Sequence, residues 1–176
     1  AGPTLERLDP VRVITNLSSG KMGVSLARIA STRGAEVTLV YGRGTEPEPT
    51  GIKTVRVETT EEMYDEVEKE LEDHYDLIVA AAAPQDFKPK DFSEDKLRRD
   101  TPVSIEFEST KDILAMASQK SPDSFLVGFK AECCVSDGEL EKAATEKLNE
   151  CDLDLVMAND ILREGAGFGT NTNDVI

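Results

Sequence analysis

The stretch D-P-V-R-V-I-T-N-L-S-S-G-K-M-G, residues 9–23, decides how the rest of the chain is interpreted. It runs from an Asp-Pro turn through an apolar segment to Asn16, and then through two serines and two glycines into a helical pattern. Apolar residues recur at spacings of four, three and one in that helix, at Met22, Leu26, Ile29 and Ala30. This periodicity predicts an amphipathic helix that buries those residues.

The start of this helix has the features of an anion-binding site. Ser18 and Ser19 are favourable N-cap residues, and Gly20 and Gly23 let another molecule approach the main chain closely. The N–H groups of a helix N-terminus also attract anions. An ordinary capped helix explains Ser-Ser-Gly equally well, so both interpretations stay open at this point.

Two common phosphate-binding motifs are absent from the stretch. Gly20-Lys21 resembles the end of a P-loop, but Met22 replaces the Ser or Thr that holds magnesium, and Thr15 stands where the first glycine belongs. The dinucleotide pattern G-x-G-x-x-G fails because Ser18 occupies the position of its first glycine.

Composition narrows the class of protein. A chain of 176 residues has the size of one domain, 1–176, and a net charge of −15 argues against nucleic acid and anionic membranes as partners. The three cysteines show no metal-site spacing, which indicates unpaired thiols in a reducing compartment, and we expect the cytoplasm. His74 is the only histidine and lies in a polar run, which argues against a histidine-based catalytic dyad.

Predicted strands and helices alternate along the chain. Strands are predicted at 37–40, 53–57, 76–83, 103–107, 125–129 and 154–157, with helices between most of them. Residues 76–83 are the most apolar run and are expected to form the most buried strand. Residues 84–102 lack periodicity and are expected to form a functional or mobile loop. The alternation predicts parallel strands with helices on both faces, and ligands in such sheets bind beyond the carboxyl ends of the strands.

Residues 9–23 closely resemble the signature of the phosphopantothenoylcysteine synthetases, ligases of coenzyme A synthesis. That signature reads roughly D-P-V-R-x-I-(S/T)-N-x-S-S-G-K-M-G. The resemblance continues in A-A-A-P-Q-D-F-K-P at 81–89, in Lys96-Leu97-Arg98-Arg99, in V-G-F at 127–129, in A-N-D at 158–160 and in Gly167-Phe168-Gly169. The chain departs from the family pattern at Thr110 and Lys111, which replace Asn and Pro, at Cys133, and at Cys151, which replaces a lysine.

The resemblance implies a three-layer α/β/α fold with a Rossmann-like, mainly parallel sheet. The family has a strand before its Gly-Pro-Thr turn, so the chain is expected to be truncated at its start. The tail is expected to stop within an element, which makes the chain truncated at both ends.

The resemblance also implies roles for individual residues. It implies that Asn16, Lys96 and Arg12 are catalytic. It implies that phosphopantothenate is bound by Gly2, Asn16, Ser18, Ser19, Gly20, Gly23 and Asn159. It implies that the nucleotide is bound by Ala80, Ala81, Ala82, Asp86, Lys96, Thr110, Lys111, Asp112, Ile113, Phe129 and Lys147. It identifies no metal ligands.

The reaction that the resemblance implies has two steps. The carboxylate of 4'-phosphopantothenate attacks the α-phosphate of a nucleoside triphosphate with Mg²⁺, with CTP favoured over ATP, and pyrophosphate leaves. The amine of L-cysteine then displaces the nucleoside monophosphate from the acyl-nucleotide (acyl-CMP with CTP). A homodimer is implied, and fusion to a flavin-dependent decarboxylase domain is known in the family.

Two other functions are compatible with a fold of this kind. An NAD(P)-dependent oxidoreductase would need the glycine fingerprint or Tyr-x-x-x-Lys, but Tyr64 is followed four residues later by Glu68. A non-catalytic nucleotide-binding module stays open, because a truncated domain can bind without turnover.

Overall fold

The computed structural model describes residues 1–100, 102–167 and 170–176. Phe168 and Gly169 of the family-like tail pattern lie outside these described residues. The strands are β1 (Gly2–Pro3), β2 (Leu5–Arg7), β3 (Val13–Thr15), β4 (Thr38–Tyr41), β5 (Lys53–Arg56), β6 (Leu77–Ala80), β7 (Ala82–Ala83), β8 (Phe87–Pro89), β9 (Phe107–Ser109), β10 (Phe125–Glu132) and β11 (Leu155–Asp160). The helices are α1 (Lys21–Thr32), α2 (Thr60–Glu70), α3 (Ile113–Lys120) and α4 (Asp137–Glu150).

The parallel strands form one sheet of doubly wound order. β4 pairs with β5, β1 with β7, and β10 with both β6 and β11. Main-chain hydrogen bonds add β1 to β4, since the N–H of Gly42 donates to the Ala1 carbonyl at 2.9 Å and that of Arg43 to the Pro3 carbonyl at 2.7 Å. Counting β6 and β7 as one interrupted strand, the order is β5-β4-β1-β6/β7-β10-β11. This is the 3-2-1-4-5-6 arrangement of doubly wound sheets, which confirms the predicted α/β fold.

Two antiparallel hairpins that the sequence did not predict extend from the centre of this sheet. β2 and β3 follow β1, and β8 and β9 follow β7. The prediction of a loop over all of 84–102 was therefore wrong in part, because β8 lies within it. The strand predicted at 103–107 begins only at Phe107. These strands have three residues each, too few for a clear alternation of apolar and polar side chains.

The predicted capping of α1 was wrong. Its N-cap is Gly20, at φ 80° in the left-handed region, and no side chain caps the helix. The hydroxyls of Ser18 and Ser19 instead accept from the N–H groups of Gly20 and Lys21, each at 3.3 Å. These are short-range turn contacts, and they hold the chain that leads into the helix.

The buried face of α1 also differs from the predicted face. Its buried residues are Gly23, Val24 and Ala27, and the core there includes Tyr41, whereas Ile29 is 53% exposed. The helix approaches the sheet through small residues. The spacing of the large apolar residues therefore predicted the wrong buried face of α1.

Among the described residues, β6, β10 and β11 are covered by helices on one face and open on the other, while α1 covers the sheet at β4. Apolar side chains of α3 and α4 pack on Leu126 and Val156. On the opposite face, four apolar residues are exposed, here called the apolar sheet face: Leu77, Val79, Phe125 and Leu155. The expectation that 76–83 is the most buried strand was therefore wrong, since Leu77 is 51% exposed. Among the described residues, the helices are too short or too polar to cross a membrane.

Candidate active site

The site lies where the strand order reverses. The carboxyl ends of β1 and β7 are neighbours there, with Pro3 paired to Ala83. Such a switch point opens a crevice for ligands. Asn16 spans it, because its Nδ2 donates to the carbonyls of Ala83 and Pro84, both at 3.0 Å. Two carbonyl neighbours require the NH₂ group on that side, so Oδ1 is the atom of the amide that can accept from a ligand.

A cleft of about 350 Å³ adjoins Asn16. Its lining comprises Pro3, Leu5, Thr15, Asn16, Leu17, Ser18, Ser19, Arg43 and Thr45. The volume is within the range of small-molecule sites, which begins at roughly 300 Å³. The structure thus brings together three of the predicted substrate residues, Asn16, Ser18 and Ser19.

Arg43 and Thr45 of this cleft were missed by the sequence analysis. They follow β4, whose carboxyl end lies beside that of β1. The order of a doubly wound sheet could have indicated them, because residues after the strand next to β1 reach the same crevice. The guanidinium of Arg43 is 3.1 Å from Glu58, and its side chain is more than half exposed.

The serine–glycine loop, residues 17–20, is held by its main chain. The Ser19 carbonyl accepts from the N–H groups of Thr45 and Glu46, at 3.0 and 3.2 Å. A Cβ at Gly20 would lie 2.6 Å from the ring of Tyr41, and one at Gly2, with φ 74°, would lie 2.7 Å from the same ring. Both glycines are therefore required by packing against Tyr41, whatever ligand they also contact.

Gly23 also lies at a close contact between main chains. A Cβ there would collide with that of Ala1 and contact Ala81 at 3.5 Å. Ala80 and Ala82 flank Ala81 where β6 gives way to β7, and all three alanines are half-buried. The small residues at the carboxyl edge of the sheet, where a ligand was predicted to bind, thus let α1 approach the sheet.

The lysine loop, residues 90–100, connects β8 towards β9 and carries Lys96. Lys96 is exposed, as is Asp86 at the start of the hairpin. Two hydrogen bonds tie the loop to the turn between β2 and β3. The N–H of Ser93 donates to the Leu8 carbonyl at 3.2 Å, and that of Leu97 donates to Asp9 Oδ2 at 3.0 Å.

The turn between β2 and β3 is organised by Asp9, whose side chain is fully buried. Its Oδ1 accepts from the N–H groups of Val11 and Arg12, both at 2.7 Å, and its Oδ2 accepts from the Arg12 guanidinium. Burial alone raises the pKa of Asp9. The N–H groups of Leu97, Val11 and Arg12, together with the guanidinium, outweigh burial and lower that pKa to about 2. The carboxylate is therefore ionised at neutral pH.

The predicted nucleotide residues 110–113 make structural contacts. Thr110 Oγ1 donates to the Gln85 carbonyl at 2.6 Å, and the Thr110 N–H donates to the Asp86 carbonyl at 3.0 Å. Asp112 caps α3 by accepting from Ala115 N–H at 2.9 Å.

Ile113 and Lys111 face α2. Ile113 packs with Leu71 in the core between α2 and α3. Lys111 lies 3.4 Å from Asp65 and 3.7 Å from Glu61. A nucleotide contact by Lys111 would have to compete with these carboxylates.

Phe129 lies in β10, Asn159 lies at the carboxyl end of β11, and Lys147 lies in the last turn of α4. The cleft beside Asn16 is lined by other residues. Asn159 is buried, and its Nδ2 donates to the Ala166 carbonyl and to Asn173 Oδ1, each at 3.2 Å, which holds the tail. Burial lowers the pKa of Lys147, but a hydrogen bond to Cys151 and nearby acids reverse that effect and raise it.

Clusters of His, Cys, Asp or Glu side chains could hold a metal ion, and pairs of cysteines could form a disulfide. Within residues 1–100, 102–167 and 170–176, no group of three or more His, Cys, Asp or Glu side chains could hold a metal ion. The three cysteines are free thiols, as the sequence predicted.

Comparison with known proteins identifies the family. The model of the DNA/pantothenate metabolism flavoprotein C-terminal domain matches residues 1–176. The coenzyme A biosynthesis bifunctional proteins CoaBC of Thermococcus kodakarensis and Bacillus subtilis are 42% and 39% identical over 177 residues. The alignments cover 100% and 99% of this chain but 43% and 42% of those proteins, so the chain spans less than half of their length.

Solved structures agree with this match. The crystal structure of the C-terminal domain of a CoaBC protein is 38% identical, with a TM-score of 0.78 over 91% of this chain and 74% of that one. A Cab2 mutant in complex with phosphopantothenate-cysteine shares the fold, with a TM-score of 0.68 at 16% identity over 94% of this chain and 72% of that one. On the sequence match and the fold together, the chain belongs to the DNA/pantothenate metabolism flavoprotein C-terminal domain family.

Proposed function

We propose that this chain is the ligase domain that joins 4'-phosphopantothenate and L-cysteine in coenzyme A biosynthesis. The observation that carries the proposal is Asn16, whose amide spans the switch-point crevice beside the cleft. Relatives about 40% identical over the whole chain are named as coenzyme A biosynthesis proteins, which supports the same pathway.

The first step forms an acyl-nucleotide. A carboxylate oxygen of phosphopantothenate attacks the α-phosphorus of the nucleotide, the bond from that phosphorus to the bridging oxygen breaks, and pyrophosphate leaves. A free carboxylate has no usable leaving group, and the mixed anhydride supplies one. Lys96 would stabilise the charge on the transferring phosphorus group. Mg²⁺ would arrive with the nucleotide as part of the substrate, held mainly by its phosphates.

The second step forms the amide. The neutral amine of cysteine attacks the acyl carbon, the carbon–oxygen bond to the nucleoside monophosphate breaks, and the amine loses a proton. Because Nδ2 of Asn16 is engaged by Ala83 and Pro84, we propose that Oδ1 accepts a hydrogen bond from the incoming amine.

We propose that the phosphate of phosphopantothenate lies in the cleft against Ser18, Ser19 and Arg43. Arg43 is the cationic residue of the cleft lining, and two serine hydroxyls accompany it. A guanidinium and hydroxyl donors suit a phosphate dianion. The Arg43 guanidinium lies 3.1 Å from the Glu58 carboxylate. This is a surface ion pair, which a phosphate can replace at little cost in free energy.

Three further expectations remain proposals. CTP is favoured over ATP as the co-substrate. The chain forms a homodimer, for which the apolar sheet face offers an exposed apolar surface. The whole protein carries a flavin-dependent decarboxylase domain and acts in the cytoplasm, which is consistent with relatives that are bifunctional and more than twice as long.

The proposal is tested by incubating the protein with phosphopantothenate, cysteine and each of the four common nucleoside triphosphates. Pyrophosphate and nucleoside monophosphate are followed. We expect both to depend on phosphopantothenate, with CTP giving the highest rate and cysteine needed for turnover. Pantothenate without its phosphate serves as the control for the cleft. Nucleotide hydrolysis that ignores phosphopantothenate would refute the ligase proposal.

A further inference from the structure

The turn between β2 and β3 contains a carboxylate that neither proposed step uses. Asp9 is fully buried, and it accepts hydrogen bonds both from its own turn and from a segment that is distant in sequence. One oxygen closes its own turn, and the other accepts from Arg12 and from Leu97, 88 residues away in sequence. A buried carboxylate is costly unless it is hydrogen-bonded, and Asp9 satisfies that requirement through these donors.

The distant contact lies next to a residue of the proposed mechanism. Leu97 directly follows Lys96, and Ser93, three residues before Lys96, donates to the Leu8 carbonyl of the same turn. The two hydrogen bonds therefore flank Lys96. Lys96 itself is exposed, so its own side chain does not fix its position.

The geometry points to Asp9 as a positioning residue: its carboxylate ties the lysine loop to the β2–β3 turn and so fixes Lys96 relative to Arg12 and the crevice. The consequence for catalysis rests on the proposed function, because it takes Lys96 as the charge-stabilising group of the first step. The tethering itself does not depend on that function.

Asp9→Asn breaks the tether and keeps the turn. Its remaining oxygen can still accept from the N–H groups of Val11 and Arg12. Its NH₂ group instead faces the Leu97 N–H and the Arg12 guanidinium, which are both donors. Leu97→Pro removes the same hydrogen bond from the other side and leaves Asp9 and Arg12 unchanged. Leu97→Ala is its matched control, since it shortens the side chain and keeps the N–H.

Trypsin reports the tether, because it cleaves after Arg98 and Arg99 in the lysine loop. Cleavage after Lys96 is not compared, since trypsin does not cut before the proline of Leu97→Pro. We expect Asp9→Asn and Leu97→Pro to be cleaved there about 10- to 100-fold faster than wild type, the range for losing a hydrogen bond to a charged group. Leu97→Ala should stay near wild type. Cleavage at lysines and arginines elsewhere in each variant corrects for general destabilisation, so a variant that folds poorly is recognised and the other decides.

The two half-reactions report positioning as distinct from stability. In both Asp9→Asn and Leu97→Pro we expect pyrophosphate release to fall about 10- to 100-fold, while transfer of pre-formed acyl-nucleotide to cysteine stays near wild type. Both variants are needed, because a proline at position 97 also restricts the main chain of Lys96. Asp91→Asn, which removes an exposed charge from the same loop, should release pyrophosphate normally.

Two results would overturn the inference. One is unchanged cleavage of the lysine loop in both Asp9→Asn and Leu97→Pro. The other is faster cleavage with normal pyrophosphate release, which would leave a tether without a positioning role. Failure of the proposed function looks different, because wild type itself would then release no phosphopantothenate-dependent pyrophosphate while the trypsin comparison still decides the tether.

Discussion

The serine–glycine loop and the lysine loop lie at the same edge of the sheet but are held in different ways. Ser19 and Gly20 are fixed by main-chain hydrogen bonds and by contact with the buried ring of Tyr41. The lysine loop is joined to the β2–β3 turn by two hydrogen bonds, from Ser93 and Leu97. The first loop is held by packing against Tyr41, whereas the second is held by two hydrogen bonds, one of which goes to the Asp9 carboxylate.

This difference matches what each loop is proposed to do. A surface that holds a substrate phosphate benefits from preorganised donors that need no rearrangement. A lysine that stabilises negative charge on the α-phosphorus and on the leaving pyrophosphate must be held in the correct position. A tightly packed loop around it would slow product release. The comparison therefore predicts that damage to the lysine loop lowers rates, and that damage to the serine–glycine loop lowers stability.

The largest expected effect is in the lysine loop. Lys96→Ala should slow phosphopantothenate-dependent pyrophosphate release about 10²- to 10³-fold, the typical effect of removing one charge-stabilising donor. Unfolding should be unchanged because Lys96 is exposed. Lys90→Ala is the control, since Lys90 lies 3.2 Å from Glu106 in an exposed ion pair. Equal rates for the two variants would show that Lys96 is an ordinary surface charge.

Asn16, whose amide bonds to Ala83 and Pro84 across the crevice, should show the next largest effect. Asn16→Ala should still form acyl-nucleotide but transfer it to cysteine about 10- to 100-fold more slowly, so the intermediate accumulates in a quenched-flow assay. Asn16→Asp should be worse, because a carboxylate oxygen would face the carbonyls of Ala83 and Pro84, both now 3.0 Å from the amide nitrogen. A variant that loses the first step and keeps normal transfer would place Asn16 in the other half-reaction.

The serine–glycine loop offers a test of stability with a matched control. Gly20 and Gly34 both have positive φ, 80° and 91°, but a Cβ at Gly34 would meet nothing within 4 Å. Gly34→Ala should therefore cost only the backbone strain, about 1–3 kcal/mol. Gly20→Ala should cost a further ~1–3 kcal/mol because the Tyr41 ring must move. Urea unfolding of both variants measures the difference, and equal losses would show that the contact with Tyr41 is unimportant.

The sequence predicted the parts of this site that depend on local pattern. The alternation of elements gave the parallel sheet, and residues 9–23 placed Asn16 and the two serines at the crevice. Periodicity failed where neighbours decide burial. Ile29 is exposed because α1 approaches the sheet through small residues. Leu77 is exposed because the face of β6, β10 and β11 that carries it is uncovered among the described residues.

Long-range contacts explain the other misses. Nothing near Asp9 in sequence indicates a bond to Leu97, and nothing near Arg43 indicates a place in the cleft. Both follow from strand order and hairpin docking, which bring distant segments to one edge. The partners of Lys111 were not indicated by the sequence either. The carboxylates that pair with it belong to α2, which is distant in sequence.

The smallest predicted effect concerns the pH dependence of the tether. The donors on Asp9, including the Arg12 guanidinium, lower its pKa in the folded state to about 2, from an ordinary value of 3.8. Between these values the unfolded chain binds the additional proton, so stability rises with pH there. The contribution of Asp9 should be complete above about pH 4 and lost as the pH falls towards 2. The difference in unfolding free energy between wild type and Asp9→Asn should therefore be constant from pH 7 to about 4 and shrink below that.

Asp91→Asn controls for the loss of one surface charge. If the difference instead disappears between pH 6 and 5, the donors from the lysine loop and the turn do not hold Asp9 ionised, and the comparison between the two loops fails at its central contact.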